Sequence, residues 1–177
     1  MVTRPKQLLE FAARTRVLVT TGIIAATLLL AVFPALPIGG DLLDARFGYT
    51  HATAMEAMAV YGEDGRRAYL WASLTLDTLL PVAYVGFLAG ILHRLRPWKR
   101  LGKLTVVPVA AGLLDLSENV QIAAMLASYA EVSAAQVGWA SAATQSKACA
   151  LLASMVLVAG FVVLALVGRW RRRFHEP

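Results

Sequence analysis

Three carboxylates and one lysine lie in stretches otherwise too apolar for charge, and their spacing sets the chemistry to consider. In the run GLLDLSENVQI, Asp115, Glu118 and Asn119 fall at i, i+3 and i+4, so a helix puts all three on one face. Pro108, Ala111 and Gly112 precede them on nearly the same face, a small-residue stripe that lets a helix or ligand approach closely. In LTLDTLLPVAY, Asp77 is followed four residues later by Pro81, which has no N–H, so a helix leaves the Asp77 carbonyl without its usual donor. A freed carbonyl beside a carboxylate accepts from a cation, a hydroxyl or water. Ser73, Tyr84 and, further out, Arg66 share the Asp77 face by spacing. Lys147 is the one cation at similar depth, with Thr144 and Ser154 on its helix. Asp77, Asp115 and Glu118 are thus the candidates for acid/base work. Asn119, Tyr84, Lys147, Ser73, Arg66 and, from an external loop, His51 are candidate ligand-binding residues. Three acids against one lysine in a low dielectric cannot all ionise cheaply, which suits proton transfer or hydrogen-bond donation.

The elements carrying these residues read as membrane spans. Of the 177 residues, 58% are hydrophobic and 16% charged, with a mean hydropathy of +0.62. Soluble domains average about 45–50% apolar and about 25% charged, so a soluble domain and a disordered chain are both excluded. Four stretches approach the roughly 20 residues that a bilayer requires: about 17–38, 68–92, 104–129 and 147–168. The first exceeds the h-region of a signal peptide and ends in FPALPIGG, so it reads as an anchor. The expectation is an all-α polytopic membrane protein, one domain of four transmembrane helices in a bundle. A short amphipathic helix in the first external loop, capped by Thr50 or Thr53 and stopped by Gly62 and Gly65, carries Met55, Met58 and Ala59 at helical spacing. It either lies on the membrane, folds over the bundle mouth or packs as an ordinary loop helix.

Charge sets orientation. Arg4, Lys6, Arg14 and Arg16, then Arg94, Arg96, Lys99, Arg100 and Lys103, then Arg169, Arg171, Arg172 and Arg173 make 13 of the 17 basic residues, all on one side of four spans. Both termini are therefore expected in the cytoplasm. Ala-rich, Arg-over-Lys composition points to a GC-rich bacterial source and the inner membrane. The net charge of +6 faces anionic lipid, and no nucleic acid is expected as a partner. The single cysteine, Cys149, excludes an internal disulfide and reads as a small core residue. His93 and His175 sit outside the apolar depth. His51 with the acids lacks the several His or Cys ligands typical of zinc, so no metal and no cofactor are expected. Tyr69, Trp71 and Tyr129 read as interface anchors. Gly86 and Gly90 form a GxxxG that marks a close helix contact, within the chain or in a homodimer.

The blocks YGEDGRRAYL, LTLDTLLPVAY, LLDLSENVQI and QSKACALL resemble a group of uncharacterised bacterial four-span membrane proteins, a resemblance that implies no activity. The layout of Asp77, Pro81 and Tyr84 in span two, beneath a long first loop, is also similar to the EXPERA class of sterol isomerases and sigma-2-type lipid-binding proteins. That similarity implies four or more spans around acids near one membrane face. Three functions compete. The first is an intramembrane acidic pocket in the outer half of the bilayer that binds or acts on a lipophilic small molecule, with membrane lipids as partners. The second is a proton- or ion-coupled transporter working as a homodimer through Gly86 and Gly90. The third is a structural subunit in which the acids only glue helices.

Overall fold

The computed structural model describes the backbone of residues 5–175 and the side chains of residues 6–170. Arg4 lies outside the described residues, as do the side chains of Arg171, Arg172, Arg173 and His175. Every regular element among the described residues is helical: α1 (Pro5–Ala12), α2 (Thr15–Thr27), α3 (His51–Leu74), α4 (Leu76–Leu95), α5 (Val106–Ala127) and α6 (Ala134–His175). Four helical stretches are long and apolar enough to cross a membrane: Thr15–Ala35, His51–Leu95, Lys99–Ala127 and Ala134–Trp170.

Local chemistry explains where the helices bend. After α2 the backbone widens into a π turn at Leu28–Val32 and tightens into a 3-10 turn at Phe33–Ala35, around Pro34. Pro34 has no N–H to donate to the preceding turn, so the α-helical ladder cannot continue through it. Thr50 caps α3 through a reciprocal bond pair with Thr53. The expected short loop helix is present over 51–61, and Gly62 ends it, although a second helical stretch follows directly within α3. At φ +65° Gly62 kinks the chain, and the helix resumes at once. Arg66 Nη1 donates to the Met58 carbonyl at 2.9 Å, one turn before the kink, and its guanidinium lies 4.0 Å from the Tyr129 ring centre. That segment is packed, with Ala54, Ala57 and Met58 buried.

The expected second span is also broken, at Thr75 (φ −120°, ψ −78°). Thr75 Oγ1 turns back to the Trp71 carbonyl at 2.6 Å, beside the Thr75 N–H at 3.1 Å, and Thr78 Oγ1 reaches the Ser73 carbonyl at 3.2 Å, so hydroxyls reinforce the turn around the break. Asp77 therefore opens α4 instead of sitting in mid-helix. The fourth helix begins at Ala134, thirteen residues before the expected start, and at 42 residues is about 63 Å long.

α5 is the hub, packed against α3, α4 and α6, while α2 and α1 lie on α4. One buried cluster joins Leu43, Met58, Tyr69, Ile122, Met125 and Val137; another joins Ala25, Leu28, Leu80, Ala83, Leu88 and Ala111. Tyr69, expected at an interface, is only 2% exposed because it belongs to the first cluster. Cys149, expected in the core, is exposed on α6. Gly86 and Gly90 face α2 and α1 of the same chain: a Cβ on Gly86 would meet Thr21 at 3.4 Å, and one on Gly90 would fall 2.5 Å from the Ala12 carbonyl oxygen. Of the two contacts that the GxxxG allowed, the one within the chain is formed.

That contact yields a test. Gly90→Ala is expected to lower the melting temperature in detergent by several degrees, since overpacking of this kind costs about 1–3 kcal/mol. Gly160→Ala, where nothing lies within 4 Å, is the control and should be neutral or mildly stabilising. Equal melting temperatures for the two variants would show that the α1–α4 contact is not as close as described.

Candidate functional site

Asp115 and Glu118 project from α5 toward Lys147 on α6. Lys147 Nζ is in direct ion-pair contact with Glu118 Oε2 and lies 3.4 Å from Asp115 Oδ1. Both carboxylates have a second partner. The Tyr84 hydroxyl donates to Asp115 Oδ2 at 2.9 Å, and the Thr144 hydroxyl donates to Glu118 Oε1. Asp115 and Glu118 are 3% and 0% exposed, so this is a desolvated network whose charges need one another. One helical turn of α5 thus supplies both acids, one turn of α6 supplies Thr144 and Lys147, and α4 closes the group with Tyr84.

The freed carbonyl of Asp77 is present as Pro81 requires, and Asn119 fills it. Its Nδ2 donates to the Asp77 carbonyl at 2.7 Å, tying α5 to α4. That donation leaves Asn119 Oδ1 buried without a partner among the described residues. The Asp77 carboxylate is different. It is buried at 4% exposure, yet no hydrogen bond or ion pair reaches it from the described residues, and it lines a cavity.

The cavity has a volume of about 1060 Å³. Its floor is polar, made by Asp77, Tyr84, Asp115 and Lys147, and its walls are apolar, including Leu29 and Phe33 after α2, Phe87 on α4, and Leu151 and Met155 on α6. Residues of both α2 and α6 line it, and few backbone contacts join those two helices to each other. Its far wall is the segment between α2 and α3, with Asp41, Asp44 and Arg46 at the rim. This segment is fastened down: the Tyr69 hydroxyl donates to Asp44 Oδ1, the Tyr61 hydroxyl donates to the Asp41 carbonyl at 2.6 Å, and Leu43 is fully buried. At the end of the segment the Tyr49 N–H donates to Ser141 Oγ at 2.9 Å, and burial pushes the Tyr49 hydroxyl up to about 12, so it stays neutral.

The residues singled out from the sequence therefore divide into three groups. Asp77, Tyr84, Asp115 and Lys147 meet at the cavity floor. Glu118 and Asn119 stand behind it and hold Lys147 and the Asp77 backbone. Ser73, Arg66 and His51 do not line it. Ser73 is fully buried on the far side of the Thr75 break, Arg66 serves the Gly62 kink, and His51 Nε2 meets the Val132 carbonyl at 2.9 Å, at the α5–α6 connection. The rim residues Asp41, Asp44 and Arg46 carried no signal beyond their loop position, because no helical period links them to the spans. No family of proteins, curated protein or solved structure matches the chain.

Pro81 and Asn119 make a testable pair. Asn119→Leu should destabilise the protein by about 1–3 kcal/mol, the cost of orphaning a buried acceptor. With Pro81→Ala in place, the helix can supply its own donor to the Asp77 carbonyl, and Asn119→Leu should then cost at least about 1 kcal/mol less. Additive effects in a thermal or denaturant double-mutant cycle would contradict this coupling.

Proposed function

We propose that the protein is a multi-pass membrane protein that binds, or acts on, a lipophilic small molecule in the cavity floored by Asp77, Tyr84, Asp115 and Lys147. Four apolar helices, and large exposed side chains such as Leu30, Val82, Leu113, Leu152 and Leu166, support insertion in a bilayer, where such surface is no longer a liability. The basic bias of the sequence places both termini in the cytoplasm and the acids in the outer half of the bilayer, and the composition favours a bacterial inner membrane.

A single observation carries the ligand reading: an apolar-walled cavity of about 1060 Å³ converges on four polar side chains. Small-molecule sites are commonly of this kind, mostly apolar with a few placed polar groups that fix orientation. Asp77, Asp115 and Glu118 are the acid/base candidates if chemistry follows binding, with Asp77 and Asp115 in the cavity and Glu118 setting the position of Lys147.

Filling the cavity tests the proposal. Leu29→Trp together with Leu151→Trp should preserve folding while removing a bound lipophile that native mass spectrometry detects on the wild-type protein. A wild-type protein that carries nothing and does not respond to added lipophiles would count against it. Orientation is read separately: reporter fusions at Pro177 should report a cytoplasmic end, and a periplasmic signal would invert the assignment.

A further inference from the structure

Of the three acids, only Asp77 has no donor among the described residues. The donors around it serve other acceptors: Tyr84 donates to Asp115, Thr144 to Glu118, Lys147 pairs with both of those acids, and Asn119 Nδ2 bonds the backbone of Asp77 and not its carboxylate. Asp77 is only 4% exposed, and its unpaired carboxyl is desolvated at a cost that a hydrogen-bond donor arriving with a ligand would relieve. The cavity in front of it is walled by apolar residues of α2, the turns after it and α6. An occupant with a donating head and an apolar tail satisfies both ends of this space.

We infer that the cavity selects amphiphiles whose head group donates a hydrogen bond, an alcohol or an amine, and that Asp77 is the acceptor that reads this head. The inference rests on the reading of the cavity as a lipophile site and adds the chemistry of its ligand. The tail lies along Leu29, Phe33 and Leu151. Lys147, which also lines the cavity, can donate to the oxygen of an alcohol while Asp77 accepts the hydrogen bond of its hydroxyl.

Four twelve-carbon probes separate donor from charge: dodecanol, dodecyl methyl ether, dodecylamine and dodecyltrimethylammonium. Each is titrated into the full chain in lipid nanodiscs, and apparent dissociation constants are taken from ligand-induced shifts in melting temperature. A donor should bind roughly tenfold or more tightly than its blocked counterpart, the effect expected of a buried hydrogen bond to a charged or polar acceptor. A preference for dodecanol over the ether identifies a hydroxyl head, and one for dodecylamine over its trimethyl counterpart identifies an amine; either supports the inference. Asp77→Leu should remove the preference, and Asp77→Asn, which keeps the shape should the leucine variant fail to fold, should reduce it. Equal binding of all four probes overturns the donor rule and leaves the lipophile site standing. Binding by none overturns both. A preference that survives in both Asp77 variants assigns the head group elsewhere and overturns the role given to Asp77.

Discussion

The structure depends on one cation. Lys147 stands between two buried carboxylates, Asp115 and Glu118, and it joins α6 to the hub helix α5 at the point where the chain would otherwise bury like charges together. Removing one partner from such a buried group costs about 3–5 kcal/mol, because the remaining charge has nowhere to go. The pairing therefore fixes the register of α5 against α6. Tyr84 from α4 and Thr144 from α6 complete the shell by donating to the same two acids, so three helices are aligned by one desolvated network.

A second constraint lies beside it. Pro81 cannot donate to Asp77, and the carbonyl it strands is met across the helix interface by Asn119, one residue beyond Glu118. The same short stretch of α5 thus binds α6 through charge and α4 through an amide. What remains unserved is the Asp77 side chain, left facing the cavity by the break at Thr75. Most groups of the site are satisfied, and the exceptions, the Asp77 carboxylate and Asn119 Oδ1, are a local conflict of the kind that functional sites retain against the stability of the whole. Tyr61 and Tyr69 hold the α2–α3 segment in place as one wall of the cavity.

The four long apolar helices were legible in the sequence because length and composition alone decide them, and the common face of Asp115, Glu118 and Asn119 followed from the helical period. The stranded carbonyl at Asp77 was legible as well, since it depends only on the proline four residues later. The partner that fills it was not, because a contact between Asn119 and residue 77 is a fact of packing between helices. Continuity was misread twice. Helical spacing carries no trace of the break at Thr75, so Ser73 and Arg66 were placed on the Asp77 face although they lie on the other side of it. The run 134–146 is small and polar enough to read as a connection, yet it continues α6 because Val137, Ala140 and Thr144 bury one face against the rest of the fold. Gly86 and Gly90 signalled a close contact correctly, but a GxxxG does not say which helix approaches, and here it is α1 and α2 of the same chain.

The space between α2 and α6 is proposed as a site for an amphiphile and not a packing gap. An experimental structure of the protein extracted from its own membrane in a lipid nanodisc tests this most directly. The account predicts elongated non-protein density in the cavity, with its polar end within hydrogen-bond distance of the Asp77 carboxylate and its tail between Leu29 and Leu151. A structure in which α2 packs directly on α6, with Asp77 paired to a donor of the chain itself, would contradict it.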